Sequence, residues 1–527
     1  MRRFLLLLTL IFSSSFFTFH SAYAQDARLE QAIRKLTMAS ILTNVYYVDT
    51  VNVDRQVEDA INGMLSKLDP HSQYSNAKDT KRMNESLEGS FEGIGVQFNM
   101  LEDTLVVIQP VSKGPSERVG ILAGDRIVSV NDTAIAGVKM SREEIMSRLR
   151  GPKGTKAKLG IVREGVRGIS YFTVKRDKIP VNTLDAAYMV TEDIGLVRFS
   201  SFGLTTHQEV MDAIKQLKQQ GMKKLIIDLQ QNSGGLLNAA ADIASEFVAR
   251  GDTIVYTRGR NVPNQVFVSS GEKGFQEGRM AVLIDEYSAS AAEILAGVIQ
   301  DQDRGIVVGR RSFGKGLVQR PIELPDGSMI RLTVARYYTP SGRCIQKPYT
   351  KGDKESYSRD VINRYNSGEL TSADSIHFPD SLRYTTRRLG RTVYGGGGIM
   401  PDHFVPLDTT KYTRFYRELS AKSIIINASL RNLDKNRKRL KKQWPEFADF
   451  KANYEVPDNV IEGLLREGEK KNIKPKDDEE REQTIPELRR ILKAFAARDL
   501  WEMSEYFSII YDDDPVVQKA VELLNSN

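Results

Sequence analysis

The chain has 527 residues, of which 40% are hydrophobic, and a formal net charge of +7. This length is too great for one ordinary hydrophobic core and predicts roughly three or four domains. The charge is mild for so long a chain, so it does not argue for a nucleic-acid partner. The single cysteine, Cys344, excludes an intramolecular disulfide and a cysteine-rich metal site.

The first 24 residues, MRRFLLLLTLIFSSSFFTFHSAYA, have the features of a secretory signal. Two arginines precede an apolar stretch, and Ala22-Tyr23-Ala24 fits an A-x-A cleavage site. Cleavage after Ala24 would leave a net charge of 7 − 2 = +5. A membrane anchor is the alternative, which the serines and the cleavage site disfavour. We therefore expect a signal peptide over 1–24 and a soluble, periplasmic mature protein.

The histidines do not suggest a metal centre. None of those after residue 24 lies in an H-E-x-x-H or similar pattern: His71, His207, His377 and His403. We expect no metal and no cofactor, and we expect any nucleophile to act without a histidine base.

The hydrophobic periodicity changes several times along the chain. It is helical at first, is broken by a turn at LDPHSQY (68–74), and then alternates as in strands. Strands and helices later alternate as in an α/β domain. The predicted regions are 25–87 (helical), 88–177 (a small sheet with two helices), 178–345 with 394–410 (α/β), 346–393 (a polar, loop-like insertion) and 411–527 (helical and highly charged).

The stretch EYSASAAEIL (286–295) follows an apolar run and leads into a helical pattern. Ser290 and Glu293 fit the S-x-x-E capping box, in which two side chains satisfy unpaired N–H groups at a helix start. A serine placed there also has free N–H groups and the positive end of the helix dipole beside it, which can stabilise the oxyanion of acyl transfer. The cap and the nucleophile predict the same local sequence, so both remain open, and Ser288 is possible in either role.

The stretch GIVVGRRSFGKGLVQ (305–319) allows several interpretations of Lys315. A phosphate loop, G-x-x-x-x-G-K, is disfavoured because Gly316 replaces the Ser or Thr that binds Mg²⁺ and a strand-like segment follows. An S-x-x-K site with Ser312 needs a helix, which the glycines around the lysine disfavour. Lys315 could instead serve a distant serine as base if burial lowers its pKa. A surface lysine without a chemical role is the remaining alternative.

The stretch KKLIIDLQQNSGGLLNAAADIA runs from a strand through a tight Gly234-Gly235 turn into a helix. The two glycines could present backbone N–H groups to an anion. Taken alone, the stretch is more typical of an ordinary turn between a strand and a helix.

Together, these stretches resemble the C-terminal processing peptidases, also called tail-specific proteases. SASAAEI and SFGKGLVQ are similar to the serine and lysine stretches of that family, and 315 − 290 = 25 residues separate the two side chains, as the family pattern expects. LDPHSQY, LIIDLQQNSGGLL, YYTPSGRCIQ and GIMPD resemble further family motifs in the same order. The resemblance covers roughly residues 30–410. Gln230 departs from the usual arginine, Cys344 departs from a common serine, and 346–393 is extra, but no catalytic residue is lost.

The resemblance implies a multidomain α/β fold. It would have an α/β protease core of the crotonase and Clp-protease type, an inserted PDZ domain (small β-sheet plus helices), and helical N- and C-terminal regions. The implied roles are Ser290 as nucleophile, Lys315 as general base, Gln319 as the residue that orients the lysine, and the N–H groups of Ala291 and Gly235 as oxyanion hole.

Residues 88–177 resemble a PDZ domain. Its expected carboxylate-binding loop comprises Gly93, Ile94, Gly95 and Val96. A PDZ groove adds an extended peptide to a sheet edge and captures the terminal carboxylate on backbone N–H groups. In the family, it binds apolar substrate tails; a rigid spacer that binds nothing is the alternative.

We therefore expect a secreted serine endopeptidase that acts on proteins or peptides with apolar C-termini. A non-enzymatic PDZ adaptor is the alternative, and an NTPase built on Gly309–Lys315 is a third hypothesis. The basic run KNRKRLKKQW (435–444) has acidic runs nearby and is more typical of a solvated helix face than of a nucleic-acid site. We expect helix packing or a homo-oligomer through the helical regions, and no nucleic acid.

Overall fold

The computed structural model describes residues 27–271 and 274–526. The signal peptide expected over 1–24 therefore lies outside the described residues. Within these residues, no helix is both long and apolar enough to cross a membrane.

The N-terminal region is helical, as its periodicity predicts. Helix α2 begins because Asn52 accepts the N–H of Arg55, and α3 begins because Asn76 accepts the N–H of Asp79. A short strand between these two helices interrupts the pattern at the predicted turn. The elements are α1 (27–46), α2 (Val53–Leu65), β1 (Gln73–Ser75) and α3 (Ala77–Leu87).

A small antiparallel sheet with two helices follows. Its buried side chains, including Leu105, Ile127 and Leu159, form a hydrophobic core of their own. Strands β2 and β9, the first and last of this region, pair with each other in a separate two-stranded sheet, so that the chain enters and leaves this unit at one place. The elements are β2 (Ser90–Gly93), β3 (Val96–Leu101), β4 (Thr104–Pro110), α4 (Pro115–Arg118), β5 (Arg126–Val130), β6 (Thr133–Ala134), α5 (Arg142–Leu149), β7 (Lys156–Val162), β8 (Ser170–Lys175) and β9 (Asp177–Pro180).

The largest core belongs to the α/β region that comes next. The elements are β10 (Leu184–Met189), β11 (Ile194–Phe199), α6 (Thr206–Gln219), β12 (Lys224–Asp228), α7 (Leu237–Ser245), β13 (Thr253–Arg258), β14 (Gln265–Val268), β15 (Met280–Ile284), α8 (Ala291–Asp301), β16 (Ile306–Gly309), β17 (Leu317–Glu323) and β18 (Met329–Tyr338). The strand IGLVRF of β11 is buried along its whole length, as parallel strands covered on both faces are.

The expectation that 346–393 is loop-like is wrong. This segment contains two short helices and a hairpin, and it buries Tyr357, Arg364 and Leu370. The interpretation failed because polar side chains carry the packing: the Lys347 ammonium lies 3.8 Å from the ring centre of Phe313 and 4.1 Å from that of Tyr357. The elements, with the strand that follows them, are α9 (Lys354–Ser358), α10 (Asp360–Asn366), β19 (Arg383–Thr385), β20 (Thr392–Tyr394) and β21 (His403–Phe404).

Two sheets organise the α/β region. The first has the order β10-β11-β12-β15-β16-β21 and is parallel from β11 onward. Ligands of open α/β sheets bind outside the carboxyl ends of the strands. Strands β12 and β15 end at this edge, at Asp228 and Ile284, just before the NSGG and SASA stretches. The second sheet has the order β1-β18-β13-β14, with β17 also paired to β18, and so brings the N-terminal strand close to the lysine stretch.

The C-terminal region forms a helical unit with its own core, and this unit reaches both neighbours. Its last helix packs under the first sheet, where Val516 and Ala520 join Leu196 in one apolar cluster. Leu430 packs against Val106 of the small antiparallel sheet. The helices are α11 (Arg414–Ala421), α12 (Ile424–Gln443), α13 (Phe447–Asn453), α14 (Asp458–Lys470), α15 (Asp478–Leu500), α16 (Met503–Ile510) and α17 (Pro515–Asn525).

A buried polar cluster joins the C-terminal helices to the first sheet. The Tyr511 hydroxyl donates to Oδ2 of Asp228 at 2.5 Å. Nη1 of Arg198 donates to the same oxygen at 2.6 Å and to the Tyr511 hydroxyl at 2.8 Å. Burial raises the pKa of Tyr511 well above its usual value, so the phenol remains a neutral donor.

Substitution Tyr511→Phe should lower the free energy of unfolding by about 1–3 kcal/mol, because a buried carboxylate would lose a hydrogen bond. Urea unfolding measures the difference. Tyr506→Phe, on the helix that ends just before Tyr511, is the control, since the Tyr506 hydroxyl has no hydrogen-bond partner in the part of the chain that the structure describes. Equal losses in the two variants would contradict a stabilising role of the Tyr511 hydroxyl.

Candidate active site

Ser290 stands between a buried strand and a buried helix, at the ligand-binding edge of the first sheet. Strand β15 ends at Ile284 and helix α8 begins at Ala291, so Ser290 is the residue that precedes the helix. Its backbone has φ 56° and ψ −113°, a region that costs a non-glycine residue about 1–3 kcal/mol. Such strain persists only where the surrounding contacts impose it, and it is typical of functional positions.

The carboxylate of Glu293 imposes part of this geometry. It reaches back to the N–H of Ser290 at 2.8 Å, which is the glutamate half of the predicted capping box. It also accepts the N–H groups of Lys315 at 2.8 Å and Gly314 at 2.7 Å, and the hydroxyl of Ser312 at 2.5 Å. Burial raises the pKa of Glu293 to about 7, and these hydrogen bonds oppose the shift.

The phenol of Tyr337 closes the arrangement from the other side. Its hydroxyl lies 2.6 Å from the carbonyl oxygen of Lys315 and 3.1 Å from that of Ser290, and it donates to the two carbonyls. Tyr337 is almost fully buried on β18. One carboxylate and one phenol therefore hold the backbones of Ser290 and Lys315 beside each other.

Lys315 lies in a segment, 311–316, without regular secondary structure. No helix follows Gly309 or contains Ser312, so neither the phosphate-loop geometry nor the S-x-x-K geometry forms. Burial lowers the pKa of Lys315, the positive charge of Arg331 lowers it further, and the carboxylates of Glu293 and Asp69 act in the opposite direction. The Lys315 ammonium makes no ion pair or hydrogen bond with another described residue. It is therefore a half-buried amine whose neutral form is favoured relative to free lysine.

Gln319 lies on β17, and the structure does not show a hydrogen bond between it and Lys315. Its Nε2 instead donates to the Thr333 hydroxyl on the paired strand at 3.1 Å. Thr333 in turn donates to Oδ1 of Asp69 at 2.8 Å. Gln319 is therefore connected to the LDPHSQY turn.

The glycine turn packs directly against Ser290. A Cβ added to Gly234 would lie 2.8 Å from the Cβ of Ser290 and 2.9 Å from the nitrogen of Ala291, so only glycine fits there. The N–H of Gly234 is already bound to Oδ1 of Asn232 at 2.9 Å. The N–H groups of Gly235 and Ala291 have no hydrogen-bond partner among the residues that are described. One free donor thus follows the serine directly, and the other follows the glycine that packs against the serine.

The expected carboxylate-binding loop lies at a groove between β3 and α5. This groove has a volume of about 330 Å³. A separate cleft, of about 390 Å³, lies beside the second sheet. Ile94, Gly95 and Val96 line the groove together with Phe98, Met146 and Leu149, whereas Gly93 is not part of its lining. Gln97, Arg142 and Arg150 also line the groove, so it is apolar in part. It lies along a strand edge, which suits an extended peptide with apolar side chains.

Several residues of the site were not recognised from the sequence. From the sequence, Tyr337 stands out only as a member of the YYTPSGRCIQ motif, and Glu293 only as a helix cap. Asp69 and Thr333 were given no role, although LDPHSQY was noted as a motif. In the two described ranges, no cluster of His, Cys, Asp and Glu could hold a metal ion.

Substitution Glu293→Gln should lower the free energy of unfolding by about 2–4 kcal/mol, because an amide cannot accept from all four donors and would turn its own N–H groups towards backbone N–H groups. Urea unfolding measures the loss. Glu323→Gln is the matched control, since Glu323 is exposed on β17 and its side chain forms no hydrogen bond within the described chain. A loss no larger than that of the control would show that the carboxylate is not needed.

Comparisons with known proteins identify the family to which the chain belongs. A model of peptidase family S41 matches residues 193–356, a PDZ domain model matches 93–168, and a family of unknown function (DUF8443) matches 415–502. Among solved structures, the photosystem II D1 C-terminal processing protease is 28% identical, with 58% of this chain and 82% of that chain covered and a TM-score of 0.34. The PDZ domain of a carboxy-terminal protease from Vibrio cholerae, in complex with a peptide, is 31% identical, with 18% and 99% covered and a TM-score of 0.16.

The chain matches about two thirds or more of the length of two curated relatives. The carboxy-terminal processing protease CtpA of Bacillus subtilis is 34% identical over 332 residues, which are 61% of this chain and 70% of the relative. The carboxy-terminal-processing protease of Bartonella bacilliformis is 39% identical over 306 residues, which are 57% and 69%. The chain belongs to the carboxy-terminal processing protease family, whose members are serine-type peptidases of family S41, and it carries the PDZ domain of that family.

Proposed function

We propose that this protein is a secreted serine endopeptidase that binds apolar C-terminal tails of proteins in its PDZ groove and cleaves them with Ser290 and Lys315. The observation that carries the proposal is the double bridge by Glu293 and Tyr337, which holds the backbones of Ser290 and Lys315 side by side. A serine in a strained turn next to a half-buried lysine is an arrangement suited to acyl transfer.

The chemistry follows from these groups. Neutral Lys315 removes the proton of the Ser290 hydroxyl as its Oγ bonds to the peptide carbonyl carbon. The negative charge on the carbonyl oxygen is stabilised by the N–H groups of Ala291 and Gly235, because both are free and the neighbouring Gly234 packs against Ser290 and Ala291. The Lys315 ammonium then returns its proton to the leaving amine. Water, deprotonated by Lys315, releases the acid and regenerates Ser290.

Burial supports the role of Lys315 as base. A lysine with an unperturbed pKa of about 10.4 would be almost fully protonated near neutrality. Because desolvation disfavours the ammonium form, the pKa of Lys315 is lowered. The fraction of neutral amine at neutral pH is raised accordingly.

The PDZ groove supports recognition of apolar tails. Its lining includes Phe98, Met146 and Leu149, which offer apolar contacts to the last side chains of a peptide. The glycine at position 95 has φ 73°, so the loop 94–96 can turn its backbone N–H groups towards a terminal carboxylate.

The first experiment compares cleavage of an unstructured protein with and without an apolar tail. Wild type should cleave the tailed form faster, and Ser290→Ala and Lys315→Ala should each reduce kcat by at least about a thousandfold. Both variants should still bind the tail, which fluorescence anisotropy of a labelled tail peptide measures. Undiminished cleavage by Ser290→Ala would defeat the assignment, and tail binding without any cleavage by wild type would favour the non-enzymatic adaptor.

Export is part of the proposal and rests on the sequence of residues 1–24. Expression of the full chain in a Gram-negative host should place the protein in the periplasmic fraction, with Gln25 as its first residue by N-terminal sequencing. Ala24→Asp should block processing, because the cleavage site needs a small residue at this position. A cytosolic chain that retains Met1 would contradict export.

Self-association of the chain through its helical regions is the remaining part of the proposal. Helix α1 exposes apolar side chains at helical spacing, including Leu29, Ile33 and Leu36, and a contiguous apolar surface of this kind typically marks an interface. Light scattering of the mature chain should give the mass of an oligomer, and Leu36→Glu should reduce it. Gln31→Glu adds the same charge to the same helix and is the control; a monomeric wild type would refute this part.

A further inference from the structure

The LDPHSQY turn enters the site although nothing above assigns it a role. Strand β1 pairs with β18, with Gln73 opposite Arg331 and Ser75 opposite Met329. The turn before it places Asp69, which is 8% exposed, beneath the strand that carries Thr333. A carboxylate from the N-terminal region thus lies behind the strand of Gln319.

The hydrogen bonds from Asp69 to Gln319 have only one possible direction. An ionised carboxylate can only accept, and the pKa of Asp69 is lowered despite burial, since Ser72 and Thr333 donate to it. The single proton of the Thr333 hydroxyl is therefore used on Asp69 at 2.8 Å. The Thr333 oxygen must then accept from Gln319 at 3.1 Å, so that the amide nitrogen of Gln319 faces Thr333.

This direction fixes the other half of the Gln319 amide. With Nε2 facing Thr333, the carbonyl Oε1 must point the opposite way, and it has no donor among the residues described. An amide carbonyl is the acceptor that a lysine amine or ammonium needs. A neutral partner in place of Asp69 would leave both orientations of the amide available.

The LDPHSQY turn also affects Lys315 electrostatically, through the carboxylate of Asp69. The carboxylates of Glu293 and Asp69 favour its ammonium form, whereas burial and Arg331 disfavour it. His71 adds no opposing charge near neutrality, because burial and the proximity of Lys315 lower its pKa to about 4. These are the charged and titratable groups that the neighbouring elements direct at the lysine.

We propose that Asp69 and Thr333 are positioning residues of the peptidase, which orient Gln319 through a one-way hydrogen-bond chain so that its carbonyl holds the amine of Lys315. The N-terminal turn is thereby part of the catalytic apparatus and not only a structural support. This inference rests on the proposed role of Lys315 as base.

The first test uses Thr333, whose hydroxyl can be removed or kept while the side chain changes little in size. Thr333→Val removes the hydroxyl and should lower kcat roughly ten- to a hundredfold with little change in KM, since a positioned base contributes about 10²–10⁴ in rate. Thr333→Ser keeps the hydroxyl and should stay within about twofold of wild type. Thr173→Val, at an exposed strand threonine without a side-chain hydrogen bond, is the control. Equal activities of Thr333→Val and Thr333→Ser would overturn the proposal.

The second test removes the negative charge of Asp69. In Asp69→Asn the ammonium form of Lys315 loses a favourable carboxylate, so the pKa of the lysine should fall. The acidic limb of kcat/KM against pH should therefore move to lower pH, by about half a unit or more, while kcat falls. Thr333→Val removes no charge and should leave the limb in place. A limb that does not move in a folded Asp69→Asn protein would indicate a purely structural carboxylate and would overturn the proposal.

The role of Lys315 as base and the positioning by Asp69 and Thr333 are contradicted by different results. If Lys315→Ala keeps wild-type cleavage, the base is assigned wrongly and the proposed function falls. If Lys315→Ala is inactive and Thr333→Val is fully active, only the positioning chain falls. If Asp69→Asn does not fold, the pair Thr333→Val and Thr333→Ser still decides the question.

Discussion

The carboxylate of Glu293 accepts hydrogen bonds from two segments that are not paired with each other in any helix or sheet, the start of α8 and the turn 312–315. A buried carboxylate is tolerated only where donors replace its lost hydration. The two segments therefore have to come together, or the carboxyl has to take up a proton. The glycines on both sides of Lys315 give its turn no conformational preference of its own, so this requirement is what places the lysine. The strained backbone of Ser290 follows from the same contacts, since its N–H points at Glu293 and its carbonyl at Tyr337.

The turn that carries the lysine is supported from outside as well, and the support comes from the segment 346–393. Arg364 donates to the carbonyl of Ser312 at 3.0 Å, and the N–H of Lys347 donates to the carbonyl of Gly314 at 2.9 Å. These are hydrogen bonds from charged or backbone donors to a segment without regular structure. The insertion is therefore part of the structure that holds Lys315, although its composition is that of a surface loop.

The sequence predicted those parts of the molecule that repeat a local pattern. The alternation of strands and helices predicted the first sheet, and the capping box predicted that α8 begins after Ser290. The second role of Glu293, as acceptor for the lysine turn, could not be predicted, because that contact joins distant positions and leaves no periodic signal. Thr333 and Tyr337 lie in MIRLTVARYYT, which reads as a strand whatever its polar side chains do. The segment 346–393 was misjudged because burial of Arg and Lys through rings and carbonyls has no hydrophobic signature.

The glycine turn beside Ser290 is supported by residues that lie far from the active site. The N–H of Gln230 donates to Oδ1 of Asp228 at 2.9 Å, and Arg198 donates to the carbonyl of Gln230 at 3.0 Å. Both of these side chains contact the Tyr511 hydroxyl, which comes from the C-terminal helices. A chain that ended before α16 would leave Asp228 and Arg198 buried without this donor and acceptor, and would expose the apolar face that α17 covers. Because Gln230 leads directly into Gly234-Gly235, the free N–H groups beside Ser290 depend on helices that come last in the chain.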